Sequence, residues 1–365
     1  MPSAYGTKLA EAFSSKVLKH IYETAPIDSL VNRDYEGEIN GVGSKLNMLT
    51  FAKLSEKTYT GSNLSPDDLT ETSTQLVIDQ YKSFYWREKT IDKFKSYIKN
   101  PKQTIFKQTA DERKQNIMNY LLGFWGDVAS GSWYGTSYTT GTVAIDASGN
   151  VTGSSTTFTS GMVGKPFKAL GHSVWYRVKT FSSTTAIVIE NDSDDETSAY
   201  SGGVISAGAT YEIQANTVKT VDNSSVKFLD FVLELKRFMD ENQVPDEGRV
   251  LFVPPIGEQY LLKDTSIKLN VPAAYQELVK QGMLTELVGF KIFRNNQVAG
   301  DNTNGYHIIA AHPMWLTFAD KQLQTAMEED LIGNFGVAHK DLFVYGAKVA
   351  DVRRKFSAHA FVKFA

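Results

Sequence analysis

The chain has 365 residues, 42% of them hydrophobic, with a formal net charge of −3 and no cysteine. Its length and apolar content suit two or three domains with a sizeable core, and the lack of cysteine excludes disulfides, thiolate metal sites and cysteine nucleophiles. The near-neutral charge argues against a dedicated nucleic-acid binder, which needs concentrated Lys and Arg to neutralise phosphates.

No run approaches the roughly 18–20 apolar residues of a membrane span. The opening MPSAYGTKLAEAF lacks the basic-then-apolar order of a secretory signal, so a cytoplasmic setting is expected. Leu9, Phe13, Val17, Leu18 and Ile21 predict an amphipathic helix over 7–23, stopped by Pro26. Residues 28–43 turn polar and read as an arm. Two long strands are expected from Leu46 to Leu54 and from Gln75 to Tyr85, joined by a polar tip from Ser55 to Ser73. Such a hairpin has no core of its own, so it is expected to lie on something else, such as a neighbouring subunit.

A second helix is expected from Thr109 to Ala129, with Thr109 and Glu112 as a capping box and Ile117, Leu121, Phe124, Trp125 and Val128 on its apolar face. Gly123 and Gly126 each cost such a helix about 1 kcal/mol against alanine, which suggests close packing of a neighbour there. From Gly135 to Tyr211, Ser, Thr and Gly become abundant while apolar positions still recur, as in a small β module. Its expected strands are Thr142 to Ile145, Phe167 to Leu170 with Pro166 leading, Val174 to Phe181, Ala186 to Glu190 and Ala209 to Ile213. Turns are expected at Asp146 to Asn150 and Ser201 to Gly203. The module interrupts a helix-rich chain, so it reads as an insertion.

The most legible stretch follows. Phe228, Phe231, Val232, Leu235, Phe238 and Met239 fall at spacings of three and four, while Asp230, Glu234, Lys236, Arg237 and Asp240 face outward, which predicts a helix capped by Asp222 or Asn223. Val250 to Val253 is a continuous apolar run closed by Pro254 and Pro255, the pattern of a central strand covered on both faces. Further expectations are a helical patch from Glu258 to Lys263, a helix from Asn270 and Pro272 to Gly282, strands from Gly289 to Arg294 and His307 to Ala311, and a helix from Met314 to Met327. The tail from Asp341 to Phe364 reads as β structure.

Reactive constellations are absent by spacing. The six histidines, His20, His172, His307, His312, His339 and His359, never stand at the i, i+4 spacing of a helical metal site. No G-x-S-x-G elbow or P-loop occurs, and Gly41 and Gly43 lack the third glycine of a dinucleotide fingerprint. The run from Asn191 to Glu196 offers oxygens for calcium but lacks the EF-hand spacing and its glycine, so a solvated loop is the favoured reading.

Five pieces in order, VLKHIYETAPIDSLVNRDYEGEI, a long polar hairpin, EGRVLFVPPIGEQYLLKD, LVGFKIFRNNQV and LFVYGAKVADVRRK, resemble the major capsid proteins of tailed double-stranded-DNA bacteriophages. The resemblance covers most of 10–130 and 217–365. It implies an α+β chain with the Hong Kong 97-type capsid fold: an N-terminal arm at 1–33, an extended loop at 34–90, a peripheral domain with its spine helix at 91–134 and 336–365, and an axial domain at 216–335. The β module at 135–215 would be an insertion. The implied function is a non-enzymatic shell subunit without cofactor, assembling as hexamers and pentamers of an icosahedral head. Scaffolding, portal and decoration proteins are its implied partners, with weak non-specific contact to packaged DNA and none to membrane. Charged residues of the arm and loop, Arg33, Asp34, Glu36, Lys53, Lys57, Asp67 and Asp68, are the expected contacts between subunits. A jelly-roll shell is disfavoured, because strands throughout would not supply the two strong helices. The alternative is a glycan-binding surface protein using Trp175, Tyr176 and Tyr200; a hydrolase would need a nucleophile with its base, and spacing supplies none.

Overall fold

The structure is a computed structural model and describes residues 27, 30–34, 45–51, 56, 58, 71–89, 101–192, 199–222, 224–263, 286–331 and 334–365. The expected helices at 7–23 and 270–282 and most of the arm lie outside these residues. The chain divides into two compact units, one containing Arg33–Ala110 and Leu316–Ala350, the other Asp111–Trp315 and Asp351–Ala365.

The first unit is built on a long antiparallel ribbon of Leu316–Leu331 and Asn334–Lys348, paired from Thr317 opposite Lys348 to Leu331 opposite Asn334 with register shifts between Gln322 and Gln324 and between Glu328 and Asp330. The helix expected from Met314 to Met327 is therefore a strand. Leu316, Thr317, Phe318 and Ala319 are all fully buried, as in a covered strand, and the ladder to the partner strand satisfies backbone groups that a helix would have paired locally. Gln80–Lys89 extends the sheet on the far side of Asn334–Lys348, with Tyr345 opposite Gln80 and Gly336 opposite Lys89.

The hairpin pairs Lys45–Phe51 with Glu71–Val77, Lys45 opposite Val77. The single strand expected from Gln75 to Tyr85 is thus two strands in two sheets, separated at Ile78 and Asp79. Nor is the hairpin without a core. Leu46, Met48, Leu76 and Ile78 are buried against Ala319, Val344 and Ala350 of the same unit. Gly346 makes this approach possible: a β-carbon there would stand 2.3 Å from the carbonyl of Val77.

In the second unit one sheet runs in the order Lys219–Val221, Ser357–Phe364, Gly305–Ala311, Val250–Val253, Phe290–Arg294, Glu286–Leu287. Val250–Val253 is wholly buried, antiparallel to Gly305–Ala311 and parallel to Phe290–Arg294, which is the central position its apolar run predicts. The last strand of the chain belongs to this sheet and the Asn334–Lys348 strand to the ribbon. Helix Phe228–Glu241 packs its whole predicted stripe inward. Its Phe228 meets Phe364 at 5.1 Å and its Phe231 meets Tyr134 edge-on at 4.9 Å. The expected cap is different: Asp222 Oδ1 accepts the N–H groups of Ser224, Ser225 and Val226 at 2.8–2.9 Å in a turn before the helix, and the N-cap position is held by Lys227, whose side chain does not cap the helix. Helix Pro255–Lys263 follows the central strand.

The 22-residue helix Pro101–Leu122 starts earlier than expected, at a proline suited to a first turn. Thr109 lies inside it and is buried, so no capping box forms. It ends at Leu122 and tightens into a 3-10 turn, Gly123–Gly126. Among the described residues a β-carbon on Gly123 or Gly126 would meet nothing within 4 Å, which goes against the expected close packing; the glycines instead mark where the α-helix gives way.

The β module forms an eight-stranded sheet in the order Ile205–Ala209, Thr142–Ile145, Asn150–Ser154, Ala186–Asn191, Tyr176–Ser183, Pro166–Ala169, Tyr211–Thr217, Thr136–Tyr138. Its core includes Val143, Ile145, Val151, Phe158, Phe167 and Ile213. The strand expected from Ala209 to Ile213 straddles two real strands, and Asn150, read as a turn, opens a strand whose first residue is gripped by Asp146 at 2.9 Å. The chain enters and leaves side by side. A β-carbon on Gly135 would stand 3.0 Å from Ala215.

Candidate functional site

Of the seven expected contact residues, Glu36, Lys53, Lys57, Asp67 and Asp68 lie outside the described residues. Asp34 is exposed. Arg33 is engaged within its own chain, 3.4 Å from Asp320 Oδ1 and 5.4 Å from the centre of the Phe318 ring.

The densest polar chemistry lies where the β module joins the sheet of the second unit. Asp192, at the end of strand Ala186–Asn191, accepts hydrogen bonds from Arg177 Nε and Ser130 Oγ, and from Arg354 Nη1 at 2.6 Å. Arg177 Nη1 also donates to the carbonyls of Gly126 (2.8 Å) and Gly164 (3.1 Å), and Nη2 to that of Val128 (3.0 Å). Burial opposes the charge on Asp192, but Arg177, Ser130 and Arg354 outweigh it and hold the carboxyl below its ordinary range. A calcium site at Asn191 to Glu196 would therefore have to take Asp192 from two guanidinium groups.

Beside this node, Lys165 Nζ donates to the carbonyls of Ala215 and Asn216 at 3.0 and 2.9 Å, and burial brings its amine down to about 8. His307 Nδ1 and His359 Nε2 stand 2.9 Å apart. Trp125 stacks on His307 at 3.7 Å, and Trp133 lies 4.5 Å from His359. Burial, then Lys165, lowers His307 to about 4; burial, then His307 and Lys165, takes His359 well below the ordinary imidazole range. A search by helical spacing misses this pair. Its members are 52 residues apart and meet only because Gly305–Ala311 and Ser357–Phe364 are adjacent strands, Ile309 opposite His359 and His307 opposite Phe361.

Among the described residues no three His, Asp or Glu side chains converge as a metal site requires. None of the described helices is long and apolar enough to cross a membrane. A groove of about 280 Å³ lined by Lys114, Gln115, Met118, Arg294, Asn295, Asn296 and Gln297 contains no nucleophile with a base. Of the three aromatic residues of the glycan reading, Trp175 is half-buried and the two tyrosines are withdrawn into the core. Tyr176 and Tyr200 are buried in the module's core, and Tyr200 OH is held by His172 Nε2 at 2.7 Å and donates to the Gly203 carbonyl at 2.8 Å, so neither ring forms a platform for a sugar.

No family model matches the sequence, and no curated protein matches it. Solved structures do match the fold. A structure from Mycobacterium phage Che8 is 17% identical and covers 90% of this chain and 88% of its own, with a TM-score of 0.52. The capsid of cyanophage P-SCSP1u is 11% identical over 93% of this chain and 88% of its own, at 0.51. The capsid of Ralstonia phage GP4 is 11% identical over 92% and 87%, at 0.50. Over nine-tenths of its length, the chain has the fold found in phage capsids.

Proposed function

We propose that the chain is the major capsid protein of a tailed bacteriophage, a structural subunit of the virion that assembles into the head shell around double-stranded DNA. The observation that carries this reading is the fold likeness to phage capsid structures over about 90% of the chain. The division suggested by the sequence remains part of the proposal: arm, extended loop, peripheral and axial domains in the Hong Kong 97 manner, and hexamers and pentamers as the assembly units. The long ribbon and hairpin support it, since extended two-stranded elements suit heterologous contacts around a ring. An inserted β module at 135–215 is supported by its separate core and by the adjoining entry and exit at Gly135 and Ala215. Scaffolding, portal and decoration proteins are the partners such a shell would meet.

Electron microscopy of the purified full chain tests the reading. Closed shells, tubes or rings are expected. Particles that stay small and monodisperse under all assembly conditions would refute it.

A further inference from the structure

We infer that the sheet of the first unit continues from copy to copy: strand Gln80–Lys89 of one subunit pairs in parallel with Leu316–Leu331 of the next, in the register that sets Arg87 beside Glu328. The inference rests on the shell reading and names a contact for it. Gln80–Lys89 is the last strand of its sheet, contains no proline, and exposes Tyr81, Lys82, Ser83, Tyr85 and Arg87. Phe84 donates its N–H inward to Asp341 Oδ1 at 3.0 Å. By the alternation along a strand, Ser83, Tyr85 and Arg87 then direct their backbone N–H and C=O groups outward, where no described strand receives them. An open edge of this length is a template for a further strand.

Charge selects the strand that fits. The edge carries Lys82, Arg87 and Lys89 against Glu88 alone, which opposes the pairing of two such edges with each other. On the other side of the same sheet, Leu316–Leu331 ends in Glu328, Glu329 and Asp330 with no cation from 325 to 331. Arg33 stands against the base of that strand, 3.4 Å from Asp320 Oδ1, and no strand among the described residues pairs with its outer side from 325 to 331. One sheet therefore presents a basic edge and an acidic edge, which can meet only between copies.

The register comes from the sheet itself. Arg87 stands opposite Ala338, and Ala338 opposite Glu328, so the three form one row across the sheet. Lys89 stands opposite Gly336, in the stretch facing Glu328 to Asp330. Gln80–Lys89 and Leu316–Leu331 are both antiparallel to Asn334–Lys348, hence parallel to each other. A second copy added at the open edge, with its strands in the same direction, brings Glu328 beside Arg87, and Glu329 and Asp330 beside Lys89, without any slip. The same row pattern sets Ala326 beside Tyr85, which is 63% exposed in the single chain. A slip of one residue would turn each of these partners to opposite faces. Because one edge meets a different edge, the contact is heterologous and can repeat around a ring.

The absence of cysteine allows a direct test in the full chain. Within one copy Arg87 and Glu328 lie two strand spacings apart, roughly 10 Å, beyond the reach of a disulfide. Oxidised particles of a chain with both Arg87→Cys and Glu328→Cys are expected to run as a covalent ladder beyond dimers on a denaturing gel, while Lys82→Cys with Glu328→Cys yields none. Arg87→Glu or Glu328→Arg alone is expected to raise the concentration needed for assembly about tenfold, and the two together to restore it. Particles in which the Arg87→Cys, Glu328→Cys chain stays unlinked would overturn the pairing and leave the shell reading standing, as would a double reversal no better than the single ones. An unaltered chain that forms no particles would overturn both. Should the cysteine variant fail to fold, zero-length cross-linking of particles made from isotopically distinct unaltered copies decides. Lys89 joined to Glu329 or Asp330 of another copy is expected, and the lack of that link would overturn the pairing.

Discussion

Arg354 Nη1 lies 2.6 Å from Asp192 Oδ1, although the two residues are 162 positions apart in the chain. Arg177 reaches the same carboxylate, and the three side chains are only 8–13% exposed. Removing Asp192 takes away the carboxylate that two buried guanidinium groups share, at a cost of about 3–5 kcal/mol. Asp192→Asn is expected to lower unfolding free energy by that much in urea titration. Arg354→Met should cost less, because one cation and one anion still pair, and the double variant should fall short of the sum. A loss below about 1 kcal/mol for Asp192→Asn would show that the node carries no net stability. For the same reason, replacing 139–214 by a short linker should work better with Arg354→Met, since the deletion removes that arginine's main anion.

Phe231 is fully buried, with Tyr134 edge-on at 4.9 Å and Phe228 at 6.2 Å. Phe231→Ala is expected to cost about 3–5 kcal/mol, and Phe231→Asp to leave the second unit unfolded. Leu233, two positions on and 46% exposed, should tolerate alanine within about 0.5 kcal/mol. Soluble, normally folded Phe231→Asp protein would place this face wrongly.

The contrast between that helix and the misread one shows what a sequence displays. Phe228 to Met239 bury against several elements but announce themselves locally, because one stripe at helical spacing needs no knowledge of the partner. The Leu316–Leu331 segment has apolar residues at helix-compatible spacing too, yet its conformation is set by pairing with Asn334–Lys348, which no local window contains. The same limit hid the imidazole pair: His307 and His359 are unremarkable until two strands lie side by side. Asp192 was visible as one acid in an acidic run, but the two arginines that claim it come from Tyr176–Ser183 and Asp351–Phe356. By contrast, the strand Val250–Val253 and four of the module's eight strands were legible, because apolar runs and alternation with Gly, Ser and Asn turns are short-range signals.

Gly123 and Gly126 offer a test of the corrected helix end. None of the described residues lies within 4 Å of a β-carbon on Gly123, so Gly123→Ala should stabilise the chain by up to about 1 kcal/mol by favouring another residue of α-helix. Gly300 is the counterexample: with φ at +110° and a β-carbon that would stand 2.0 Å from the Gly305 carbonyl, Gly300→Ala should destabilise by about 1–3 kcal/mol. Thermal unfolding of the two variants should therefore shift in opposite directions. A destabilised Gly123→Ala would restore the idea that the glycine admits a close neighbour.

The base of the hairpin gives the last test, because its packing reverses an expectation. Lys45–Phe51 and Glu71–Val77 pair along their length, and Leu46, Met48, Leu76 and Ile78 are buried on Ala319, Val344 and Ala350 of the same chain. Their backbone amides should therefore resist hydrogen exchange in the free subunit, before any assembly. Leu76 is fully buried, so Leu76→Ala should cost about 2–5 kcal/mol and raise exchange in both strands together. Gly346→Ala should do the same from the opposite side, since its new methyl would press on the Val77 carbonyl and lift the hairpin from the ribbon. Protection of these strands that appears only in assembled particles would show that a neighbouring copy, and not the chain's own ribbon, supplies the hairpin's support.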